Sequence, residues 1–477
     1  YDDPALQSVA ALCAGYLTEE GERKPVVADK PVHKGIDLQL DDTLAGEEYT
    51  LSATKKGVSI CGGSPRAVLY GVQTLRQLID GDRVPVVEIR DEPYFGYRGA
   101  MFDVARYFYP VEEVKRFIDI MALHKLNTFH WHLTDDQGWR IEIERYPELT
   151  RIGSQRRETL IGHYKTSDEY DGKPHGGYYT QDEIREVVAY AAERCIDIIP
   201  EIELPGHSMA ALASYPWLGC TKGPYEVRTT WYYSSDVLCA GRETTFEFLE
   251  NVLTEVIGLF PSKYIHIGGD ECPKVRWKAC PDCQRRMRRE GLADEDALQS
   301  YFVCRIEEWL HAHGREMIGW DELLEGGVTP STIVMSWRGT EGGIEAAKLG
   351  NRVIMAPRFY FYLDYYQTSD PERNGEPLSI GRNVPIRKLY GYDPFDRLDE
   401  AQSRNILGVQ ANLWTEYIST MDHAEYMLLP RLAAMSEVAW ATERRDYDDF
   451  VRRLGSLRGL YDREGYRYAD FVFRGIE

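Results

Sequence analysis

No apolar stretch in this chain approaches the roughly 20 residues that a membrane-spanning helix needs. Long runs of Lys and Arg are missing as well, and the net charge is 56 − 77 = −21. Nucleic acids and anionic membrane surfaces are therefore poor partners, because phosphate binding needs clustered cations. The glycine-rich phosphate loop GxxxxGK[ST] is absent, and no GxGxxG follows a strand. There is no GxSxG nucleophile elbow, no HExxH zinc helix and no evident Cys–His pair. Low-complexity segments and short repeats are lacking. The initiator Met is lacking too: the chain begins at Tyr1, so an N-terminal piece has been trimmed or was never included, and an exported protein with a removed signal peptide is the expectation.

What is present is a chain of 477 residues, 43% hydrophobic and 12% aromatic, enough for a large core and more than one domain. Nine cysteines are an odd number, leaving at least one thiol free unless it pairs between chains. Cys61 and Cys195 lie in apolar runs and are expected as buried thiols. Cys220 and Cys239 bracket a loop-like stretch rich in Gly, Pro, Thr and Tyr, where a disulfide would staple the loop. Cys280-Pro-Asp-Cys283, with Cys272 and Cys304 nearby, offers zinc-type ligands in a spacing that fits no common zinc module, and no metal is assigned to it.

Residues 1–95 are expected to form a small α/β domain. A hairpin over 49–54 and 58–61 turns at Lys55-Lys56-Gly57, and a helix carries Val68, Val72, Leu75 and Ile79 on one face. From residue 96 to 477 short apolar strands alternate with amphipathic helices. Strand-like segments cover 99–104, 127–133, 196–202, 264–267, 316–319, 332–335, 353–355 and 406–409. Val114, Phe117, Ile118 and Met121 mark one intervening helix, and Thr180 with Glu183 forms a capping box for another. Eight β-then-α units imply an α/β fold, a (β/α)8 barrel with C-terminal helices, and a doubly wound open sheet is the alternative.

The most informative segment is His266-Ile267-Gly268-Gly269-Asp270-Glu271. Neighbouring side chains on a strand point to opposite faces, so two adjacent acids serve one site only where the strand has ended and the backbone turns. The two glycines permit that turn. Polar and aromatic residues also follow the other strands: Arg106; Asp135-Asp136-Gln137-Gly138-Trp139-Arg140; Pro205-Gly206-His207; Trp320-Asp321-Glu322; Trp337-Arg338-Gly339; Tyr362 and Asp364; Trp414-Thr415-Glu416. In a barrel these ends converge on one pocket. A single strand-end tryptophan is more often packing than ligand, Arg106 alone fits a surface ion pair, and Asp321-Glu322 fits a helix N-terminal turn. His207 alone fits a satisfied loop histidine, and His266 fits a histidine hydrogen-bonded inside the barrel. Taken together, aromatic faces with carboxylates, one Arg and one His suit a sugar, whose C–H faces stack on rings and whose hydroxyls take charge-assisted hydrogen bonds. Carboxylate-driven glycoside hydrolysis is the chemistry that remains.

In chain order, Asp103-Val104-Ala105-Arg106, His130 to Arg140, Pro200 to His207, His266 to Glu271, Gly319 to Glu322, Ser336 to Gly339, Tyr362 to Asp364 and Leu413 to Glu416 resemble the family 20 glycoside hydrolases, the β-N-acetylhexosaminidases. The resemblance runs from about residue 50 to 440 and its motifs are together highly specific. It implies that Glu271 is the general acid and base, and that Asp270 orients the substrate's 2-acetamido group, whose carbonyl oxygen is the nucleophile. This family is a recognised exception to two-carboxylate catalysis. It further implies that Tyr362 hydrogen-bonds the acetamido oxygen and that Trp320, Trp337 and Trp414 wall the pocket. Arg106, Asp364 and Glu416 would bind ring hydroxyls, with Asp135 and His207 as a relay behind Glu271. No cofactor is implied, and the partner is a glycan with a terminal β-N-acetylhexosamine. Within the family a lacto-N-biosidase is the alternative, and outside it a catalytically silent glycan-binding protein. The small domain departs from the family pattern at its start, where a first strand is hard to find, so it is expected to be incomplete there.

Overall fold

The computed structural model describes residues 1, 3–18, 25–29, 35–80 and 83–475. The N-terminal region is a four-stranded sheet of β1 (Ile36–Leu40), β2 (Tyr49–Thr54), β3 (Gly57–Gly62) and β4 (Val87–Asp91), in the order β1-β3-β2-β4. The expected hairpin is present, with Thr54 opposite Gly57 in antiparallel register. Strand β1, a short Ile-Asp-Leu-Gln-Leu alternation outside the expected hairpin and helix, pairs parallel to β3. Two helices, α1 (Gln7–Tyr16) and α2 (Pro65–Leu78), complete a core in which Leu38, Leu51, Ile60, Val68, Val72 and Leu75 are buried together. Helix α2 starts where Ser64 caps the Ala67 N–H and Pro65 supplies a first-turn residue that needs no donor.

Eight parallel strands then close a barrel: β5 (Tyr97–Asp103), β6 (Thr128–His132), β7 (Asp197–Glu201), β8 (Tyr264–His266), β9 (Glu316–Trp320), β10 (Ile333–Ser336), β11 (Val353–Met355) and β12 (Ile406–Leu413), which pairs back to β5. Closure removes the open-sheet alternative. Strand β12 runs four residues past the sequence expectation because Gln410, Ala411, Asn412 and Leu413 stay in register with Gly99 to Phe102. Helix α3 (Val111–Leu123) buries the predicted stripe of Val114, Phe117, Ile118 and Met121, and α4 (Gln181–Glu193) carries the capping box at Thr180. Helices α5 (Glu243–Leu259), α6 (Pro281–Glu290), α7 (Glu295–Ala312), α8 (Glu341–Leu349) and α9 (Arg431–Trp440) follow. The barrel interior is filled by Tyr97, Ile199, Ile318, Trp320, Ile333, Met335 and Ile354. Among the described residues no helix is long and apolar enough to cross a membrane.

The small domain docks at the strand-start end of the barrel. Arg98, near the start of β5, donates to Glu47 Oε2 at 2.9 Å, and Trp440 of α9 donates to Asp91 Oδ2 at 2.9 Å while packing edge-on against Tyr70. The strand-end face stays open.

The cysteines require three corrections. All nine are free thiols, so Cys220 and Cys239 form no disulfide. The four sulfurs that gather are those of Cys220, Cys239, Cys280 and Cys283; Cys272 and Cys304 lie outside the cluster although they are close in sequence. Cys61 and Cys195 are half-buried rather than buried, since Cys61 faces the polar Ser59 and Gln39 on its sheet and Cys195 sits in the turn after α4.

Candidate active site

The segment after β8 turns as its sequence requires. Gly268 and Gly269 take φ of +68° and +94°, and Glu271 takes +39°. A Cβ on Gly268 would stand 1.9 Å from Glu203 Oε2, and one on Gly269 would stand 2.6 Å from Leu323 Cδ2. Glycine is thus required for both dihedral and space. The turn splays the two acids: the Asp270 side chain is 11% exposed and the Glu271 side chain 36%. One faces into the pocket and the other stands at its mouth.

His207, in the loop after β7, joins them. Its Nε2 lies 3.5 Å from Asp270 Oδ2 and 3.4 Å from Glu271 Oε2, and its Nδ1 lies 3.0 Å from Asp135 Oδ1. Burial pushes the His207 imidazole down, but the charges of Asp135 and Asp270 outweigh that and hold it well above its ordinary value. Burial pushes Asp270 up to about 6, against the pull of His207 and with added repulsion from Glu271. Asp135 Oδ2 accepts from Arg106 Nη2 at 2.9 Å and sits 3.0 Å from His132 Nε2. Arg106 also donates to Gln137 Oε1 and Asp103 Oδ2, both at 3.1 Å, and Thr415 N–H donates to Asp103 at 3.1 Å. The ends of β5, β6, β7 and β12 are thereby tied into one polar floor.

Above this floor is a cavity of about 270 Å³ lined by Arg106, His207, Asp270, Glu271, Trp337, Tyr362, Asp364, Trp414 and Glu416. Nine of the eleven residues singled out from the sequence line one space. Trp337 stacks on Tyr362 at 6.0 Å and 12°, and Trp414 lies 6.2 Å from Tyr362. Asp135 stands behind His207, fully buried. Trp320 is the other exception: it is fully buried, 6.0 Å behind Trp414, and its indole N–H donates to Glu201 Oε1 at 2.9 Å. Glu201 is also approached by His130 Nε2 at 3.0 Å, by His266 Nδ1 at 2.8 Å and, most closely, by His132 Nδ1. Burial alone would raise its carboxyl, but His266, His132 and His130 hold it well below the usual range. His266 therefore belongs to the barrel interior, as its strand parity suggests.

Two carboxyls on the far wall, Asp364 and Glu416, are raised by burial. Asp364 goes well above its ordinary value with help from Glu416, and Glu416 rises to about 7 although Arg106 pulls it down. Burial also keeps the Tyr362 phenol protonated, hence a donor. Asp270 Oδ1, Asp364 Oδ1 and His207 Nε2 are buried without a hydrogen-bond partner. Such orphans are uncommon in folded proteins, and three of them facing one cavity mark a place for a polar ligand.

Sequence reasoning missed the mouth. Tyr164, Trp231, Tyr232, Tyr233, Arg358, Tyr365 and Arg382 also line the cavity. Tyr232 stacks on Tyr233 at 4.2 Å and lies 6.1 Å from Tyr164. The run Trp231-Tyr232-Tyr233 was the available signal, an aromatic cluster inside a long loop. Asp321-Glu322 open a short 3-10 helix, the helix N-terminal turn expected of them, yet Glu322 also accepts the Trp337 indole N–H at 2.8 Å.

Comparison with known proteins agrees with this geometry. Residues 95–443 match the family model "Glycosyl hydrolase family 20, catalytic domain", and residues 1–92 match "Glycosyl hydrolase family 20, domain 2". A β-hexosaminidase of Porphyromonas gingivalis is 48% identical across 97% of the chain, which spans 60% of that relative's length. One from Akkermansia muciniphila is 35% identical across 91% of the chain and 88% of its own length. The crystal structure of a family 20 exo-β-N-acetylglucosaminidase from Vibrio harveyi, in complex with N-acetylglucosamine, superposes with a TM-score of 0.87 at 35% identity, covering 98% of this chain and 74% of that one. The barrel, its strand-end acids and these matches converge, and the chain belongs to glycosyl hydrolase family 20.

Proposed function

We propose that the protein is a retaining exo-β-N-acetylhexosaminidase that removes terminal β-linked GlcNAc or GalNAc by substrate-assisted catalysis. The observation that carries the reading is the unequal placement of two adjacent acids around His207: Asp270 inside the pocket with an unpartnered oxygen, and Glu271 half-exposed at the mouth. The acetamido N–H of a bound sugar satisfies Asp270 Oδ1, and the Tyr362 phenol donates to the acetamido oxygen. Trp337 and Trp414 wall that group, with Trp320 backing the wall from below. Held this way, the carbonyl oxygen attacks the anomeric carbon while Glu271 gives its proton to the departing glycosidic oxygen. The intermediate is an oxazolinium ion, whose positive charge the Asp270 carboxylate stabilises. Glu271 then takes a proton from water as the water opens the ring at the anomeric carbon, with net retention. Asp364, Glu416 and Arg106 bind ring hydroxyls, so the sugar offers hydrogen bonds to carboxyls that burial has made costly to ionise.

The cavity volume of about 270 Å³ lies just below the roughly 300–1,000 Å³ usual for ligand sites and suits one sugar ring, which favours release of a monosaccharide over a disaccharide. Turnover of a chromogenic β-GlcNAc glycoside by wild type and Glu271→Gln tests the reading. A loss of roughly 10²–10⁴-fold is expected on loss of general acid catalysis, and full activity in the variant would sink it. Parallel assays of monosaccharide and disaccharide aryl glycosides test the exo-monosaccharide step.

A further inference from the structure

We propose that Cys220, Cys239, Cys280 and Cys283 form a structural zinc site that clamps the loop after β7 to the loop after β8. One sulfur from each residue lies within 4.8 Å of the other three. The separations are 3.8 Å for Cys220–Cys283, 3.8 Å for Cys239–Cys280 and 3.7 Å for Cys239–Cys283. A Zn–S bond of about 2.3 Å in a regular tetrahedron sets sulfurs about 3.8 Å apart, because the edge is about 1.63 times the bond. Two disulfides would instead single out two pairs at about 2.05 Å. Three of the six edges are near-equal at the tetrahedral value, the other three stay within 4.8 Å, and none of the three singles out a bonded pair.

The surroundings fit a thiolate site. Cys239 and Cys283 are fully buried, Cys280 is nearly so and Cys220 is partly exposed at the edge of the cluster. Cys280 precedes α6 and Cys283 lies in its first turn, with Pro281 between them at the first helical position, so both sulfurs sit at the positive end of the helix. Four thiolates around Zn²⁺ carry a net charge of −2, and Arg242 supplies a cation beside Cys239 and Cys280. That arginine donates to the carbonyls of Trp217, Gly219 and Cys220 and to Asp282 Oδ2, locking both loops around the cluster. Arg276 pairs with Asp236, and the Trp277 indole N–H donates to Leu238 O across the same seam. The loops touch backbone to backbone: a Cβ on Gly241 would stand 2.2 Å from the Asp282 carbonyl carbon. With four protein ligands the site has no open position, as structural rather than catalytic zinc requires. One loop carries His207 and Tyr232–Tyr233, and the other carries Asp270 and Glu271. The clamp fixes the distance between the relay and the acid pair.

The test is elemental analysis and zinc-edge X-ray absorption on the full chain, expressed with zinc in the medium and dialysed against a weak chelator. One zinc per chain with a shell of four sulfurs at about 2.3 Å is expected. Cys239→Ser should lower bound zinc at least tenfold, and Cys304→Ser should leave it at one per chain. Zinc-free protein, intact-mass loss showing disulfides among these four residues, iron in place of zinc, a shell of nitrogen and oxygen, or zinc retained in Cys239→Ser would each overturn the proposal. The absorption measurement uses wild type, so it decides the matter even if Cys239→Ser does not fold.

Discussion

Replacing Asp270 by Asn should make the protein more stable and nearly inactive, and the gain should depend on pH in a calculable way. Burial pushes the wild-type carboxyl up to about 6 in the fold, against 3.8 for the free side chain. A raised carboxyl favours the protonated form in the folded state, so holding the carboxylate costs nothing well below pH 3.8 and costs most above pH 6. The linkage integral gives roughly RT ln[(1 + 10^(pH−3.8))/(1 + 10^(pH−6))], which is ~1 kcal/mol at pH 4.5 and ~3 kcal/mol at pH 8. Asn carries no such cost. Urea unfolding of wild type and Asp270→Asn at the two pH values should therefore show the variant gaining ~2 kcal/mol on wild type between pH 4.5 and 8. Turnover should fall roughly 10²–10³-fold, the typical loss when a preorganised group facing developing charge is removed. Equal stability differences at both pH values, or a variant less stable at pH 8 than at pH 4.5 relative to wild type, would refute the reasoning about this buried acid.

Three further outcomes follow from the same geometry. His207→Asn removes the cation that pulls Asp270 down, so the acid limb of kcat/KM, expected near pH 6 in wild type from the raised Asp270 carboxyl, should move to higher pH; a limb that stays or moves down would contradict the coupling. Gly268→Ala places a side chain at φ +68° and 1.9 Å from Glu203 Oε2, and it should cost the ~1–2 kcal/mol of a left-handed residue plus the clash, seen as a lower melting temperature and lower kcat. Trp320→Phe keeps an aromatic side chain but removes the donor to Glu201 and part of the buried indole volume, and chemical denaturation should register at least the ~1–3 kcal/mol of the lost bond to a buried carboxylate; an unchanged midpoint would mean that the indole N–H is dispensable.

The barrel was legible because each strand is a short apolar run and each ends in residues of one chemical kind. Adjacent acids after two glycines can only mean a turn, and positive φ at Gly268, Gly269 and Glu271 is that turn. Where the chain folds back over long distances the sequence says less. Glu201 looks like any strand acid, and nothing local reveals that His130, His132, His266 and Trp320 surround it from three other strands. The cysteines mislead for the same reason. Cys272 and Cys304 are neighbours of the Cys280–Cys283 pair along the chain, while Cys220 and Cys239 reach it from a different loop, across 63 and 41 residues. Strand β1 is short, and although Ile36, Leu38 and Leu40 alternate with Asp37 and Gln39, only Leu38 is buried. The aromatic mouth at Trp231-Tyr232-Tyr233 sits on a long loop whose course is set by Asp136, which accepts the N–H groups of Met209 and Ser234.

The central claim is that the nucleophile belongs to the substrate and that Asp270 holds it. Its most direct test is kcat/KM for a series of aryl β-GlcNAc glycosides whose N-acetyl group carries none, one, two or three fluorines. Each fluorine weakens the carbonyl oxygen as a nucleophile while leaving the ring hydroxyls and the leaving group unchanged. The account predicts a steep, stepwise fall along the series in wild type. Rates that stay level across all four substrates would contradict it.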